Sequence, residues 1–297
     1  MSSLIGRYKN GNYYVAIYSD GTKIRENNSD CFMPEKPESI DIKISNRCDM
    51  NCVMCHENST PDGAISMLLD APFFDTLLPY TELAIGGGNV LEHPQLSEFL
   101  VKLKERNLIA NMTVNQSHFM DNVDYIKSLV DSKLIYGLGV SLVDPSNDFI
   151  ESVSAIKNAV IHVVNGINDA KDFRKLYDKD LKVLILGYKE WGRGKTFYEE
   201  FGSMVRKKAK EMFDELPCAI DRFSVISFDN LAIKQLDVKR LMNQREWDRF
   251  YMGDDGQFTM YIDLVRGEFA RNSTSKKRYG LKDNIKDMFS VIQNEDN

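Results

Sequence analysis

The sequence predicts an α/β fold built on an incomplete barrel of parallel strands. Three observations carry this. From residue 39 to about residue 230, apolar runs of strand length alternate with amphipathic stretches of helical period; six or seven such units can be counted; and polar or glycine-rich segments follow the strands. Repeated strand–helix units imply right-handed crossovers and a parallel sheet, and a closed barrel needs about eight of them. The chain divides into an N-terminal β-hairpin extension (1–38), the barrel (39–230) and a small α+β C-terminal extension (231–297).

The elements follow in order. Tyr13-Tyr14-Val15-Ala16-Ile17-Tyr18 is β-prone, Ser19-Asp20-Gly21 signals a turn and Thr22-Lys23-Ile24 returns, so 7–27 reads as a hairpin that Pro34 and Pro37 terminate. Ser39-Ile40-Asp41-Ile42-Lys43-Ile44 alternates with period two and is the first core strand. Residues 73–80 read as a short helix, 82–85 as a strand, and 95–106 as a helix with Leu96, Phe99, Leu100 and Leu103 on one face. Strands at 108–114 and 134–141 alternate with helices at 123–131 and 148–157. Residues 159–164 are apolar almost throughout, as a strand buried on both faces would be. Asn168 caps a helix to residue 177, 181–187 is the sixth strand, 197–216 a long amphipathic helix, and 223–227 a strand. Beyond residue 230 come a helix (231–241), an aromatic run (247–251) assigned to core, a strand (258–263), a short return (268–270) and a closing helix (284–293). This tail is expected to dock on the barrel.

Bulk properties narrow the function. With 43% hydrophobic and 28% charged residues the 297-residue chain is an ordinary soluble globular protein. A net charge of -6 and a pI near 5.4 oppose a broadly basic nucleic-acid binder and favour a small or peptidic substrate. The sequence has no apolar run of membrane length and no apolar signal region at its N-terminus, so a cytoplasmic location is expected. Three of the five cysteines fall within eight residues, which is no extracellular disulfide framework.

That run, Cys48-Asp49-Met50-Asn51-Cys52-Val53-Met54-Cys55, has C-x3-C-x2-C spacing and directly follows the first core strand. Thiolates hold soft metal centres. A zinc site would need a fourth ligand, for which His56, Cys31 or Cys218 stand as candidates. A four-iron cluster would keep one iron free of protein, and the unequal spacers favour it over the paired knuckles of zinc ribbons. Otherwise Cys31 and Cys218 read as small buried apolar residues. The second core strand ends in Ile85-Gly86-Gly87-Gly88-Asn89-Val90-Leu91-Glu92-His93-Pro94, with His93 structural before its proline. Thr113-Val114-Asn115-Gln116 and Leu138-Gly139-Val140-Ser141 close the third and fourth strands. The glycine-rich basic stretch Gly187-Tyr188-Lys189-Glu190-Trp191-Gly192-Arg193-Gly194 follows the sixth, and Ser227-Phe228-Asp229-Asn230 the seventh. Parallel α/β folds bind ligands at these C-terminal strand ends.

Together these motifs resemble the radical S-adenosylmethionine (radical SAM) superfamily, over 39–230 and more loosely over the tail, which is similar to the segment after the barrel in peptide-modifying members. The resemblance implies a partial (β/α)6 TIM-like barrel carrying a 4Fe-4S cluster on Cys48, Cys52 and Cys55. S-adenosylmethionine would bind the open iron and be held by Gly87, Gly88, Asn89, Asn115 and Ser141. An external electron donor such as flavodoxin or ferredoxin would drive its reductive cleavage to a 5'-deoxyadenosyl radical, which abstracts hydrogen from a peptide or protein side chain. Asn89 stands where the family has an acid, and Met54 where it usually has an aromatic residue. Residues 219–297 contain no cysteine, so one cluster only is expected. Lys189, Arg193 and Asp229 are the candidate substrate contacts. A mouth lined by Lys189, Arg193 and Lys195 would favour an anionic substrate such as a nucleotide or nucleic-acid base, and a neutral groove a peptide. A non-catalytic zinc-binding protein is the reading from outside enzymology.

Overall fold

The computed structural model describes residues 2–29 and 31–295; positions 1, 30, 296 and 297 of the expected segments lie outside the described residues. At the N-terminus, β1 (Leu4–Asn10), β2 (Tyr13–Tyr18) and β3 (Lys23–Glu26) form an antiparallel sheet, one strand more than the expected hairpin. Gly11 closes the β1–β2 turn at φ +58, where a Cβ would lie 1.9 Å from the Met33 carbonyl, so only glycine fits.

Seven parallel strands then lie side by side in chain order: β4 (Ser39–Ser45), β5 (Glu82–Gly87), β6 (Ile109–Asn115), β7 (Gly137–Ser141), β8 (Ala159–Val164), β9 (Lys182–Leu186) and β10 (Val225–Phe228). The tail docks on this sheet by extending it. β11 (Thr259–Asp263) pairs parallel with β4, and β12 (Glu268–Ala270) and β13 (Tyr279–Gly280) continue antiparallel, giving a ten-stranded, mostly parallel sheet with β10 and β13 at its edges. The alternation explains the fit: Met260 and Ile262 lie in register with Ile40 and Ile42 and prolong the same buried face.

Every second residue of these strands, among them Ile42, Ile85, Met112, Val140, Ile161 and Val183, packs into one core with the helices. The intervening residues line a cavity of about 1280 Å³. β8 therefore is not buried on both faces as expected: Val160, His162 and Val164 face the cavity. The N-terminal sheet closes the end where the strands begin. Lys23 pairs with Glu82 at the start of β5, Lys182 at the start of β9 donates to the Asp20 carbonyl, and Asn158 to that of Ser19.

The helices are α1 (Leu96–Glu105), α2 (Gln116–Asp121), α3 (Val123–Asp131), α4 (Asn147–Ser154), α5 (Ala170–Arg174), α6 (Arg193–Ala219), α7 (Asn230–Gln235), α8 (Gln244–Phe250) and α9 (Ile285–Gln293). Several expectations are corrected. Residues 72–76 form a 3-10 turn instead of a helix to residue 80, because Pro79 bars helical backbone before it. Asn168 does not cap α5; its side chain accepts from the Val164 N–H and donates to the Leu142 carbonyl, fastening the turn after β8. The helix expected at 231–241 breaks where Asp237 takes φ +44. No residue of α8 is buried: Trp247 stacks on Tyr251 with centroids 4.6 Å apart, outside the core assigned to that aromatic run. Cys31 and Cys218 are both exposed, the latter on the solvent side of α6 beside buried Leu216 and Ala219. Among the described residues no helix is long and apolar enough to cross a membrane.

Candidate active site

The cysteine loop leaves β4 and folds back on its own base. Asn46 N–H donates to the Ala64 carbonyl at 2.7 Å, Cys48 N–H to Thr60 at 2.9 Å, and Ser66 N–H to Ile44 at 2.9 Å. Cys48, Cys52 and Cys55 are half-buried free thiols that all line the cavity. Burial pushes the Cys48 and Cys52 thiols up, and nearby negative charge, Asp49 and Cys55 for the first and Cys55 and Cys48 for the second, pushes them further. Zinc at about 2.3 Å from each sulfur would gather them to roughly 4 Å. Among the described residues, the ligand atoms that gather within 4.8 Å of one another belong to Cys48, Asp49 and His118 and not to the three cysteines. His56 turns its ring toward Lys189 (3.4 Å) and Glu57 (3.4 Å). The three thiolates match in number the protein ligands of a 4Fe-4S cluster that keeps one iron open.

The glycine-rich rim loop acts on this cysteine loop. Arg193, the first residue of α6, donates from Nε to the Cys52 carbonyl at 3.0 Å and from Nη1 to that of Ser59 at 2.8 Å, while its N–H reaches the Cys55 carbonyl at 3.0 Å. Gly192, at φ +57, lets the backbones touch: a Cβ there would stand 2.5 Å from the His56 carbonyl. Lys189 donates to Ser273 Oγ at 3.0 Å. Beneath it Lys43 pairs with Glu57 at 2.7 Å and Asp263 at 3.3 Å, and Tyr261 donates to Glu57 at 3.1 Å. The C-terminal extension thus supplies part of the cavity wall.

At the other strand ends the expected residues divide. Gly87 and Gly88 line the cavity, and a Cβ on either would strike the Ser45 or Arg47 carbonyl at 2.3 or 2.1 Å, so close passage of β5 against β4 requires both glycines. Asn89 does not line the cavity: its side chain accepts from the Leu91 N–H and donates to Glu92 at 3.0 Å. Asn115 and Ser141 are register partners on the cavity face, and Asn115 also caps α2. Asp229 reaches the cavity but accepts from the Gly187 and Ala232 N–H groups. His93 is structural, buried with its ring against the Ser66 carbonyl.

Three cavity residues escaped the sequence reading. His118 on α2 holds Asp49 at 2.7 Å beside Cys48; its place three residues past a strand-end asparagine was the available signal. Asp41 shares the parity of Lys43 in an alternating strand, and the polar face of that alternation proves to be the cavity. His162 was hidden by treating its strand as buried on both sides. Its ring lies over Gly139, where a Cβ would meet Cε1 at 2.3 Å, and burial holds its pKa down at about 4.

That value carries a pH dependence. As pH falls, the unfolded chain protonates His162 near 6.5 while the folded chain refuses the proton until about 4, so stability is lost across that window. At pH 4.5 the loss relative to pH 7 is about 2–3 kcal/mol for this group. Urea unfolding of the wild type and His162→Gln at both pH values should show the gap between them change by that amount. Parallel losses would mean that the imidazole is not held neutral.

No protein-family model and no curated protein matches the sequence. Solved structures do. SuiB of Streptococcus suis bound to its precursor peptide SuiA superposes with a TM-score of 0.56 at 15% identity, over 89% of this chain and 66% of that one. SuiB by itself gives 0.54 at 14% identity, and SuiB bound to S-adenosylmethionine 0.57 at 12%, each over 89% of this chain and 67% of the other. The chain spans about two thirds of the length of these structures. At such identities the likeness is one of architecture: this chain has the fold of SuiB.

Proposed function

We propose that this chain is a radical SAM enzyme acting on a peptide or protein side chain. The observation that carries the reading is the set of three free thiols, with no fourth beside them, on a loop at the C-terminal rim of a mostly parallel sheet. Support comes from the shared fold with SuiB, solved with S-adenosylmethionine in one case and with a precursor peptide in another. We read the sheet as a partial (β/α)6 barrel, since side chains from β4 through β10 converge on one cavity.

When bound, a 4Fe-4S cluster and S-adenosylmethionine supply a 5'-deoxyadenosyl radical that takes hydrogen from the substrate, with flavodoxin or ferredoxin as the electron source. The chain does the holding. Gly86, Gly87 and Gly88 offer backbone to the cavity, and neighbouring Asn115 and Ser141 suit the nucleoside. Asn89 is engaged in its own turn, so the ammonium contact falls to other groups. The basic mouth is engaged as well, with Lys189 on Ser273 and Arg193 on the cysteine loop, while Lys195 does not line the cavity. This favours a peptide over an anionic nucleotide.

Anaerobic reconstitution tests the reading. About four iron and four sulfide per chain are expected, with 5'-deoxyadenosine formed from S-adenosylmethionine and reductant. Zinc uptake without 5'-deoxyadenosine would replace the enzyme with a zinc-binding protein.

A further inference from the structure

The charged side chains facing the cavity are nearly all satisfied within the chain: Lys43 by Glu57 and Asp263, Glu82 by Lys23, Lys182 by Asn158 and the Asp20 carbonyl. Asp41 is the exception. It projects from β4 into the protein-walled cavity, open to the water there, and among the described residues its carboxylate makes no hydrogen bond and no ion pair. Asn111, Thr113 and His162, on the same face of β6 and β8, are equally without side-chain partners. Space accompanies them: Asp41, Ala84, Asn111 and Gly137 run in register across β4 to β7, so a small residue stands on either side of Asn111.

A carboxylate without a protein partner inside a ligand-sized cavity is placed to pair with a cation once a ligand displaces the water there. Burial raises the Asp41 pKa, the Lys189 charge lowers it, and the more weakly felt acids Asp255, Asp229 and Glu57 raise it. Depth matters too. Asp41 lies four residues below Ser45 on β4, about 13 Å along a strand from the cysteine rim.

We propose that Asp41, with Asn111, Thr113 and His162, forms the pocket for the reacting side chain of the substrate, and that this pocket takes a cationic head group, the amine of a lysine or the guanidinium of an arginine. The head pairs with Asp41, and the hydrocarbon stem runs back past Ala84 and Gly139 toward the rim, presenting its carbons where hydrogen is removed. This inference rests on the peptide-modifying reading above and names its substrate class.

The probes are Ac-Gly-Lys-Gly-NH2, the arginine counterpart, and the norleucine and glutamate analogues, titrated by saturation-transfer NMR into the full chain, as isolated and after anaerobic reconstitution. Lysine and arginine peptides should bind about tenfold or more tighter than norleucine, a difference typical of one satisfied charge. Asp41→Asn should erase that preference, Asp41→Glu should keep it, and Asp41→Lys should turn it toward glutamate. Equal binding of lysine and norleucine by the wild type, or a lysine preference that survives in Asp41→Asn, overturns the proposal. Formation of 5'-deoxyadenosine is scored separately. Cleavage without a lysine preference removes this pocket and leaves the radical reading standing; a lysine preference without cleavage supports the pocket and removes the radical reading.

Discussion

Serine at Cys48, Cys52 or Cys55 is expected to abolish both iron retention and 5'-deoxyadenosine formation, each variant alone sufficing. Outer contacts of a metal site are commonly worth 10–100-fold, so loss of a direct ligand should cost on the order of a thousandfold or more. A serine hydroxyl keeps the size but not the soft, ionisable sulfur that iron–sulfur chemistry requires. The loop gives a further reason for equal effects. Its backbone is tied at Asn46, Cys48 and Thr60 and clamped at Cys52 and Cys55 by Arg193, so no free thiol elsewhere can swing in as a replacement. Cys31 and Cys218 are exposed on other parts of the fold, and serine at either should leave iron content unchanged. Iron and acid-labile sulfide per chain, with nucleoside product by chromatography, decide the matter. Full iron content in Cys48→Ser would remove that residue from the ligand set.

How much of this was legible in the sequence depends on how local each feature is. Period-two alternation around Ile40, Ile42 and Ile44 and the helical face of Leu96, Phe99, Leu100 and Leu103 are local signals, and both elements form where they were expected. The order of the strands followed from repetition of the same unit. The partner of β11 did not, because its pairing with β4 joins residues some two hundred positions apart and only the finished sheet brings them together. Side-chain direction was the second limit. Asn89 and Arg193 sit near their expected places, yet one turns into its own 3-10 turn and the other onto the carbonyls of the cysteine loop. Both uses serve backbone polar groups that would otherwise lack partners, a demand that residue type and spacing do not reveal. His162 and Asp41 were missed for a different reason: a parallel sheet is normally covered on both faces, and here one face looks into a cavity.

Lys43→Met is expected to destabilise the protein by about 3–5 kcal/mol, the range for breaking a buried ion pair from one side. Lys43 is only 4% exposed and serves two carboxylates, Glu57 on the cysteine loop and Asp263 on β11, themselves 13% and 5% exposed. Burial by itself would raise the Glu57 carboxyl. The His56 hydrogen bond and the charges of His56 and Lys43 outweigh it and hold the group well below the usual carboxylate range. Methionine keeps the volume of the stem but takes away the ammonium that the two acids share. Asp263 retains the Val265 and Arg266 N–H groups on Oδ1, and Glu57 retains Tyr261, so the cost reports charge more than lost hydrogen bonds. The triple variant Lys43→Met, Glu57→Gln, Asp263→Asn should therefore recover at least half of the loss, because it removes the repelling charges together with the lysine. Urea unfolding with an unchanged denaturant slope is the measurement. A cost under about 1 kcal/mol for Lys43→Met would mean that these charges are screened by cavity water. The lysine would then contribute little to tying the C-terminal strand to the cysteine loop.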